Sequence, residues 1–304
     1  MTEQSPKVSI GLPVYNGEKY LSQAIDSILS QTFADFELII SDNASIDCTQ
    51  RICLKYANED SRIKYHRHSK NIGGSNNHNF VFKLAKGIYF HWFSDDDLYD
   101  PSFLQKSVTI LDENPDISLC FCSFKLIDEH GKCLGINENL IGQSLSPAQR
   151  LRELFTFNHL CEANYGLIRS ETLRKTDLER NYSDSDRTLL CEIALYGKFH
   201  IIPEPLFSRR IHPGQSTNRY PDTNARMAWF YPELDGRIKF FPFFVHWKQF
   251  IHYLQIINRV PISNFERGRC YLYMIYWIFS YNRWFYMIKE VFSPIRKLFL
   301  RKSS

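Results

Sequence analysis

The feature that most constrains the fold is the run VSIGLPV (8–14), which is apolar at almost every position. A strand that buries only one face alternates apolar with polar residues, whereas a continuous apolar run is typical of a strand covered on both faces. After the turn YNG, the segment EKYLSQAIDSILSQ places a single apolar face on a helix: Leu21, Ala24, Ile25, Ile28 and Leu29. A buried strand followed by an amphipathic helix is the repeating unit of parallel α/β sheets.

The same alternation continues as far as residue 127. The further strands are predicted at FELIIS (36–41), RIKYHRH (62–68), IYFHWF (88–93) and ISLCFCSFKLI (117–127). The further helices are predicted at SIDCTQRICLKYAN, with Ser45 or Asp47 as N-cap, at GSNNHNFVFKLAKG, ending on Gly87, and at PSFLQKSVTILDEN, beginning at Pro101. This rhythm predicts an α/β fold with a single Rossmann-like, mostly parallel sheet flanked by helices.

Composition sets the class of protein and its compartment. The 304 residues are 44% hydrophobic and 23% charged, which is typical of a folded chain of one or two domains. The eight cysteines include no C-x-x-C pair or zinc-type spacing, so reduced, mostly buried thiols are expected. The start MTEQSPKVSIG lacks the pattern of a secretory signal, and we therefore expect a cytoplasmic protein.

Residues that are mostly polar lie at or after the end of each of the first four predicted strands. They are Pro13, Tyr15, Asn16 and Glu18 after the first strand, Asp42 after the second, Asn71 and Ser75 after the third, and Asp95, Asp96 and Asp97 after the fourth. Ligands of α/β sheets bind at the carboxyl ends of the strands, where these loops meet. The sequence therefore predicts a nucleotide-sized site at this edge.

The stretch HWFSDDDLYDP (91–101) sets three carboxylates side by side with no Lys or Arg to offset them. Such a cluster is either a solvated loop tip or a site for a hard divalent cation, Mg²⁺ or Mn²⁺. A dinucleotide-binding fold would need G-x-G-x-x-G after the first strand, but PVYNGEKYL has one glycine there. Without a glycine cradle, a metal on the acidic stretch is the predicted source of positive charge for a pyrophosphate.

The combination VSIGLPVYNGEKYL, SILSQTFADFELIISDNASIDCT, NIGGSNNHN and FSDDDLYDP resembles the family 2 glycosyltransferases of the GT-A fold. The resemblance covers about the first 130 residues and resumes at SDSDRTLLCEIALYGKFHIIPEPLFSRRIHPGQST (183–217). It implies an inverting enzyme that depends on a nucleotide-sugar, with uridine as the expected base.

The resemblance also implies roles for the donor side of the site. Asp42 matches the residue that contacts the base, and Asn71 lies where a second base or ribose contact is expected. Asp95 matches the ribose-facing position and Asp96 the metal-binding one, while Asp97 would support the metal shell through water.

In the second matching segment, Asp186 lies where the family carries its catalytic base. Arg210 and His212 match a segment that closes over the pyrophosphate, with the histidine near the metal. The alternatives are a helix-start carboxylate for Asp186 and a surface-loop histidine for His212. The nearby Asp184 is the alternative candidate for the catalytic base. Helical geometry predicts that Asp186 lies over the packed face of its helix and that Asp184 lies in solvent, so that only one of the two faces the cleft.

The carboxyl-terminal region is predicted to be helical, aromatic-rich and basic. We therefore divide the chain into a catalytic domain, 1–239, and a carboxyl-terminal region, 240–304. From residue 283 onward there are six basic residues and one acidic residue, a net charge of +5, so the first 282 residues sum to −1. The longest charge-free stretch, 270–282, is shorter than the roughly 18 residues of a membrane span. Helices lying on an anionic membrane surface are predicted, with a helical subdomain or a dimer contact as the alternative for 240–282.

These observations predict a metal-dependent inverting glycosyltransferase that moves a sugar, from a UDP-sugar, to a hydroxyl of a glycan or lipid-linked acceptor during cell-surface polysaccharide biosynthesis. The expected location is the inner face of the cell membrane, bound peripherally. The near-neutral main body argues against nucleic-acid binding. Two alternatives remain open: a sugar nucleotidyltransferase and a non-catalytic protein that binds glycans or membranes. The first would have a glycine-rich loop after the first strand, and PVYNGEK matches such a loop poorly.

Overall fold

The computed structural model describes residues 5–138, 141–156, 161–215, 218, 223–234 and 244–301. Its strands are β1 (Val8–Val14), β2 (Phe36–Asp42), β3 (Ile63–Arg67), β4 (Tyr89–Trp92), β5 (Leu98–Tyr99), β6 (Ile117–Ile127), β7 (Cys133–Asn137), β8 (Leu167–Arg169) and β9 (Lys198–Arg210). Its helices are α1 (Leu21–Leu29), α2 (Thr49–Glu59), α3 (Gly74–Leu84), α4 (Phe103–Glu113), α5 (Pro147–Thr156), α6 (Ser170–Arg174), α7 (Ser185–Tyr196), α8 (Thr223–Phe230), α9 (Val245–Arg259), α10 (Asn264–Phe279) and α11 (Arg283–Arg301).

The nine strands of the described residues form one sheet in the order β3-β2-β1-β4-β8-β6-β9-β5, with β7 attached to β6. Strand β1 is parallel to β2 and β4, β2 is parallel to β3, and β6 is parallel to β9. The antiparallel strand β8 joins the two parallel groups, and β5 and β7 add antiparallel edges. The predicted α/β class with a mostly parallel sheet flanked by helices is confirmed.

The core follows the apolar pattern of the sequence. In β1 every residue except Pro13 is buried, and β2 is buried along its whole length, as expected for strands covered on both faces. Helix α1 buries the predicted face through Leu21, Ala24, Ile25 and Ile28. The eight cysteines are free thiols, and six of them are buried.

Three predicted helix boundaries are wrong by a few residues. Helix α3 ends at Leu84 and not at Gly87, because the backbone N–H groups of Lys86 and Gly87 donate to the Ser9 hydroxyl at 3.1 and 2.8 Å. A Cβ at position 87 would lie 2.5 Å from the Ser9 nitrogen, so the glycine permits this close approach. Helix α4 begins at Phe103, two residues after the predicted start.

Helix α2 has Cys48 at its N-cap position, so neither predicted residue occupies it. The Asp47 carboxylate nevertheless accepts a hydrogen bond from Thr49 N at 3.0 Å, which satisfies one amide of the first turn. The Ser45 hydroxyl instead accepts from Asn16 N at 2.9 Å and ties the loop after β2 to the loop after β1.

The carboxyl-terminal helices pack on the rest of the chain. Helix α9 lies against α7, and α10 lies against α5. Tyr253 and Trp277 are buried in the same hydrophobic cluster as the sheet, with their ring centroids 5.4 Å apart. Residues 245–279 therefore pack as helices on the rest of the chain, and the predicted boundary at 239/240 lies outside the described residues. Among the described residues, no helix is both long enough and apolar enough to cross a bilayer.

Candidate active site

A cleft of about 750 Å³ opens beside the carboxyl ends of β1, β2 and β4. Its walls also include residues of α3, of the loop before α7, of the segment after β9 and of α8. Eight residues predicted from the sequence line it: Pro13, Tyr15, Asn16, Asn71, Asp95, Asp96, Asp186 and His212. Segments that are more than 100 residues apart in sequence therefore meet around one cavity.

Asp95 and Asp96 form the acidic wall of the cleft together with His212. The Nε2 atom of His212 lies 2.9 Å from Oδ2 of Asp96, whose Oδ1 accepts from the Ser94 hydroxyl. Burial, and after it the charge of Asp96, raises the pKa of Asp95 above its ordinary value. A Cβ at Gly17 would lie 2.3 Å from Oδ2 of Asp95, so the glycine leaves room for this carboxylate. Adjacent carboxylates in such a site are stabilised when a cation shares them.

Asp97 and Arg210 do not line the cleft, although the sequence predicted that Asp97 supports the metal shell through water and that Arg210 belongs to a segment closing over the pyrophosphate. The Asp97 carboxylate is buried and accepts from Arg210 N at 2.8 Å. The Arg210 guanidinium is buried as well, and it donates to the Asp96 carbonyl at 2.9 Å and to Gln23 Oε1 at 2.8 Å. Because β5 pairs with β9 directly after the acidic stretch, Arg210 lies behind this loop and supports it from within the protein.

Asp42 also lies behind the cleft wall. Its carboxylate is fully buried and accepts hydrogen bonds from Ser45 N at 2.8 Å, the Tyr65 hydroxyl at 2.8 Å and Arg67 Nε at 3.1 Å. The next residue, Asn43, does line the cleft. The predicted direct base contact of Asp42 is not supported by this placement, because its carboxylate is buried and already accepts from three protein donors.

Glu18 and Ser75 are two further predicted residues that do not line the cleft. Oε2 of Glu18 accepts from Cys48 N at 2.9 Å, and the buried Ser75 hydroxyl donates to the Arg180 carbonyl at 3.4 Å. Both side chains connect loops around the site. The prediction that they contact the ligand is not supported by this placement.

Asp186 lies in the first turn of α7, and Asp184 occupies the N-cap position. Asp184 is exposed and Asp186 is partly buried, as helical geometry predicted. The prediction that only one of them faces the cleft is wrong, because both line it. The left-handed backbone of Asp184, with a φ of 67°, sets its direction apart from that of a helical residue. Burial, followed by the charges of Asp184 and Glu179, raises the pKa of Asp186 to about 6.

Several cleft residues escaped the sequence analysis, chiefly Glu179, His78 and Trp229. Glu179 belongs to an irregular segment with no apolar period, so no local signal marks it. The double glycine of NIGGSNN could have indicated Trp229, because a Cβ at Gly74 would lie 2.1 Å from its ring. Gly73, with a φ of 89°, would likewise bring a Cβ to 2.3 Å from a backbone oxygen of α8. These glycines allow α8 to pack against the start of α3.

Within the part of the chain that the structure describes, no group of three His, Cys, Asp or Glu side chains is arranged to hold a metal ion by itself. The acidic wall offers two carboxylates and one imidazole. Mg²⁺ is commonly held by one or two carboxylates, with water and substrate phosphates completing its coordination. The side chains present are compatible with this kind of metal binding.

Comparison with protein families matches residues 9–169 to the model of "Glycosyl transferase family 2". An uncharacterized glycosyltransferase of Rickettsia typhi is 31% identical over 223 residues, which are 70% of this chain and 67% of that protein. One of Methanocaldococcus jannaschii is 30% identical over 214 residues, 68% of this chain and 71% of that protein. Chondroitin synthase of Escherichia coli is 26% identical over 219 residues, 70% of this chain and 30% of that enzyme.

Solved structures share the fold at low sequence identity. S. aureus TarS (1–349) in complex with UDP-GlcNAc superimposes with a TM-score of 0.67 at 17% identity, covering 90% of this chain and 73% of that one. The mannosyltransferase PcManGT from Pyrobaculum calidifontis, in complex with GDP-Man and Mn²⁺, gives a TM-score of 0.52 at 15% identity, covering 97% and 87%. The nucleotidyltransferase and non-catalytic alternatives are therefore not retained. The chain is an enzyme that belongs to glycosyl transferase family 2.

Proposed function

We propose that the protein transfers a sugar from a UDP-sugar to a hydroxyl of a glycan or lipid-linked acceptor in cell-surface polysaccharide biosynthesis. The observation that carries this proposal is that one cleft is lined both by the acidic wall, Asp95 and Asp96, and by the partly buried Asp186. The first pair suits a diphosphate with its metal, and Asp186 suits an acceptor hydroxyl. The similarity to chondroitin synthase, a polysaccharide-forming enzyme by its name, supports the acceptor class.

The donor base is proposed to lie against Tyr15, Asn43 and Asn71. The two asparagine side chains are joined by a hydrogen bond of 2.9 Å from Asn43 Nδ2 to Asn71 Oδ1. Amide groups held in this way present fixed donors and acceptors to a base or ribose. Asp42 would order this loop from behind. TarS was solved with UDP-GlcNAc, which carries uracil, and the mannosyltransferase with GDP-Man, which carries guanine. Of these two bases we propose uracil for the donor of this protein.

Mn²⁺ or Mg²⁺ is the proposed cofactor, and Asp96, Asp95 and His212 are the residues that would hold it. When bound, such an ion stabilises negative charge on a diphosphate leaving group. The Mn²⁺ in the mannosyltransferase complex supports this choice. Arg210 would keep the acidic wall in place through its hydrogen bond to the Asp96 carbonyl.

Asp186 is the proposed general base. A sugar hydroxyl has a pKa far above neutrality, so it becomes an effective nucleophile when a carboxylate accepts its proton in the transition state. A base works best when its pKa lies near the working pH, and burial places Asp186 close to that range. Attack from the face opposite the diphosphate inverts the configuration of the transferred sugar.

Peripheral binding to the inner face of the cell membrane is proposed for part of the region 240–304. Large apolar side chains of α10 and α11 are exposed, with fractions such as 63% for Leu272, 67% for Phe279 and 61% for Phe292. Lys289 is exposed on α11 as well, and the sequence carries a net charge of +5 from residue 283 onward. Apolar residues beside cations suit an anionic lipid surface. The division into a catalytic domain, 1–239, and this region remains part of the proposal.

Thermal shift measurements with UDP, GDP, CDP and dTDP, each with Mn²⁺ and with EDTA, test the donor and metal proposals together. We expect UDP with Mn²⁺ to raise the melting temperature of the wild type, and EDTA to abolish the effect. Asp96→Ala should remove the shift, while Asp35→Ala, an exposed acidic residue outside the cleft lining, should retain it. A shift with UDP that is insensitive to EDTA would contradict the metal proposal, and no shift with any diphosphate would contradict the donor class.

A further inference from the structure

Glu179 lines the cleft but has no part in the reaction proposed above. Its backbone is fixed on α3 from both sides, since Asn79 Nδ2 donates to the Glu179 carbonyl at 2.7 Å and Glu179 N donates to Asn79 Oδ1 at 3.1 Å. The preceding Leu178 has a φ of 57°, an uncommon conformation for a residue with a side chain. These contacts hold the backbone of Glu179 in place, so its side chain starts from a fixed position beside the cleft.

The Glu179 carboxylate is nine-tenths buried, with 10% of the side chain exposed. Its Oε1 lies 3.6 Å from Nδ1 of His78, which is too far for a good hydrogen bond. The Ser75 hydroxyl hydrogen-bonds to this carboxylate and also lies 3.4 Å from the Arg180 carbonyl, so it is shared between the two acceptors. A buried carboxylate can accept several hydrogen bonds, and the shared Ser75 hydroxyl leaves acceptor capacity that a bound hydroxyl can fill.

The charges around this position come from several elements. Asp184, Asp186 and Arg187 belong to the start of α7, and Arg226 of α8 donates to the Ser183 hydroxyl at 2.9 Å. Burial raises the pKa of Glu179 to about 7 and lowers the pKa of His78 to about 4. The imidazole is therefore neutral near pH 7 and offers one donor and one acceptor beside the carboxyl group.

We propose that Glu179 and His78 form a hydroxyl-binding pair that holds a hydroxyl of the acceptor sugar next to the one that reacts. The sugar hydroxyl would donate to the Glu179 carboxylate and accept from the imidazole N–H of His78. Glu179 and His78 line the same cleft as Asp186, the proposed base, so we assign the pair to the acceptor. This inference rests on the proposed function. It makes Glu179 a residue that determines which acceptor is used.

The first test compares the wild type, Glu179→Gln and Glu179→Ala by the release of UDP from UDP-sugars. Release is measured in water alone and with methyl glycosides of hexoses and N-acetylhexosamines as acceptor probes. For Glu179→Ala we expect hydrolysis by water and the donor KM to change less than about twofold, and the KM for a glycoside to rise at least about tenfold. Glu179→Gln, which can still accept a hydrogen bond, should lie between the two. An unchanged glycoside KM, or an equal loss of hydrolysis and transfer, refutes the pair.

A second test needs no acceptor sugar. It can still refute the role of Glu179 if no glycoside stimulates the release of UDP. A carboxyl group whose pKa is raised on folding loses stability as the pH rises from its ordinary value to about 7. The melting temperature of Glu179→Gln should therefore exceed that of the wild type by a margin that grows between pH 5 and pH 8. The matched control is Glu37→Gln, a buried carboxylate outside the cleft that accepts from Ser9 at 2.6 Å and Lys64 at 2.5 Å.

Although burial opposes it, hydrogen bonding lowers the pKa of Glu37, so its replacement should lower the melting temperature near neutral pH. If Glu179→Gln behaves like Glu37→Gln, Glu179 is structural and the inference is refuted. Failure of the proposed function looks different: the wild type would then neither bind UDP with Mn²⁺ nor hydrolyse any UDP-sugar, whatever the melting curves of the variants.

Discussion

The substitution Asp186→Asn gives the most informative single test of the reaction. Asparagine keeps the shape of the side chain and can still accept a hydrogen bond, but it cannot take a proton from an acceptor hydroxyl. Removal of a general base typically lowers kcat by about 10²–10⁴-fold, and we expect a loss in this range. The donor KM should stay nearly constant, because Asp186 is assigned to the acceptor, whereas the donor is assigned to the acidic wall and to Tyr15, Asn43 and Asn71.

The raised pKa of Asp186 gives two further magnitudes. An upward shift from 3.8 to about 6 corresponds to an upper limit of about 3 kcal/mol by which the ionised group destabilises the native state. Below pH 4 the carboxyl group is neutral and the native state avoids this cost, whereas the native state loses stability as the pH rises from 4 to 6 and the group ionises. Asp186→Asn should therefore be more stable than the wild type at pH 7. The transfer rate of the wild type should rise about tenfold per pH unit below 6 and level off above it.

The assay is UDP release from a UDP-sugar over pH 5–8, with donor binding measured by calorimetry and melting curves for each variant. Asp184→Asn is the matched control, because Asp184 lines the same cleft two residues earlier but is exposed. Its loss should lower the pKa of Asp186 and move the acid limb of the rate profile to lower pH, with activity retained. The reasoning is refuted if Asp184→Asn is the inactive enzyme, or if Asp186→Asn is active and less stable than the wild type.

Three further predictions concern the donor, the metal and the membrane. Asp96→Ala should abolish both activity and the dependence of UDP binding on Mn²⁺ while the melting temperature without ligand is kept; full activity in EDTA would contradict this. Asp42→Ala should raise the donor KM more than it lowers kcat, because the carboxylate orders the loop that carries Asn43, and an unchanged donor KM in steady-state kinetics would exclude this role. In a vesicle pull-down, Phe285→Glu should weaken binding to anionic vesicles, and salt should release the wild type. The control Leu134→Glu, which changes an exposed apolar residue of β7, should not weaken binding. Equal binding to neutral and anionic vesicles would contradict the electrostatic part of the proposal.

Local pattern was sufficient for much of the fold. Strand β1 could be recognised because an apolar run of seven residues is incompatible with an exposed face, and the buried face of α1 because its period is 3.6 residues. Helix ends were less predictable, since they depend on partners distant in sequence. Helix α3 stops at Leu84 because Ser9, 75 positions earlier in the chain, accepts hydrogen bonds from the backbone that follows.

The site shows the same limit. The loops after β1, β2 and β4 could be assigned to one edge from the α/β rhythm alone, and Tyr15, Asn71 and Asp96 do line the cleft. Arg210 could not be judged from its motif, because the direction of its side chain is set by the pairing of β9 with β5 and by acceptors on α1 and on the loop after β6. A charged residue in a binding motif can support the loop from behind as well as touch the ligand.

The sequence by itself determined the class of fold, the family and the edge of the sheet at which the chemistry lies, because apolar periodicity and motif order are properties of the chain read in one direction. Only the tertiary structure decided which carboxylates face the cleft. The carboxylates of Asp42 and Asp97 are buried and hydrogen-bonded to the protein, whereas Asp186 of α7 and Glu179, from a segment without local pattern, line the cavity. Burial then raises the pKa of both cleft residues, and the charges of Asp184 and Glu179 raise that of Asp186 further. Those quantities depend on distances between residues far apart in sequence, and the chain acquires them only when it folds.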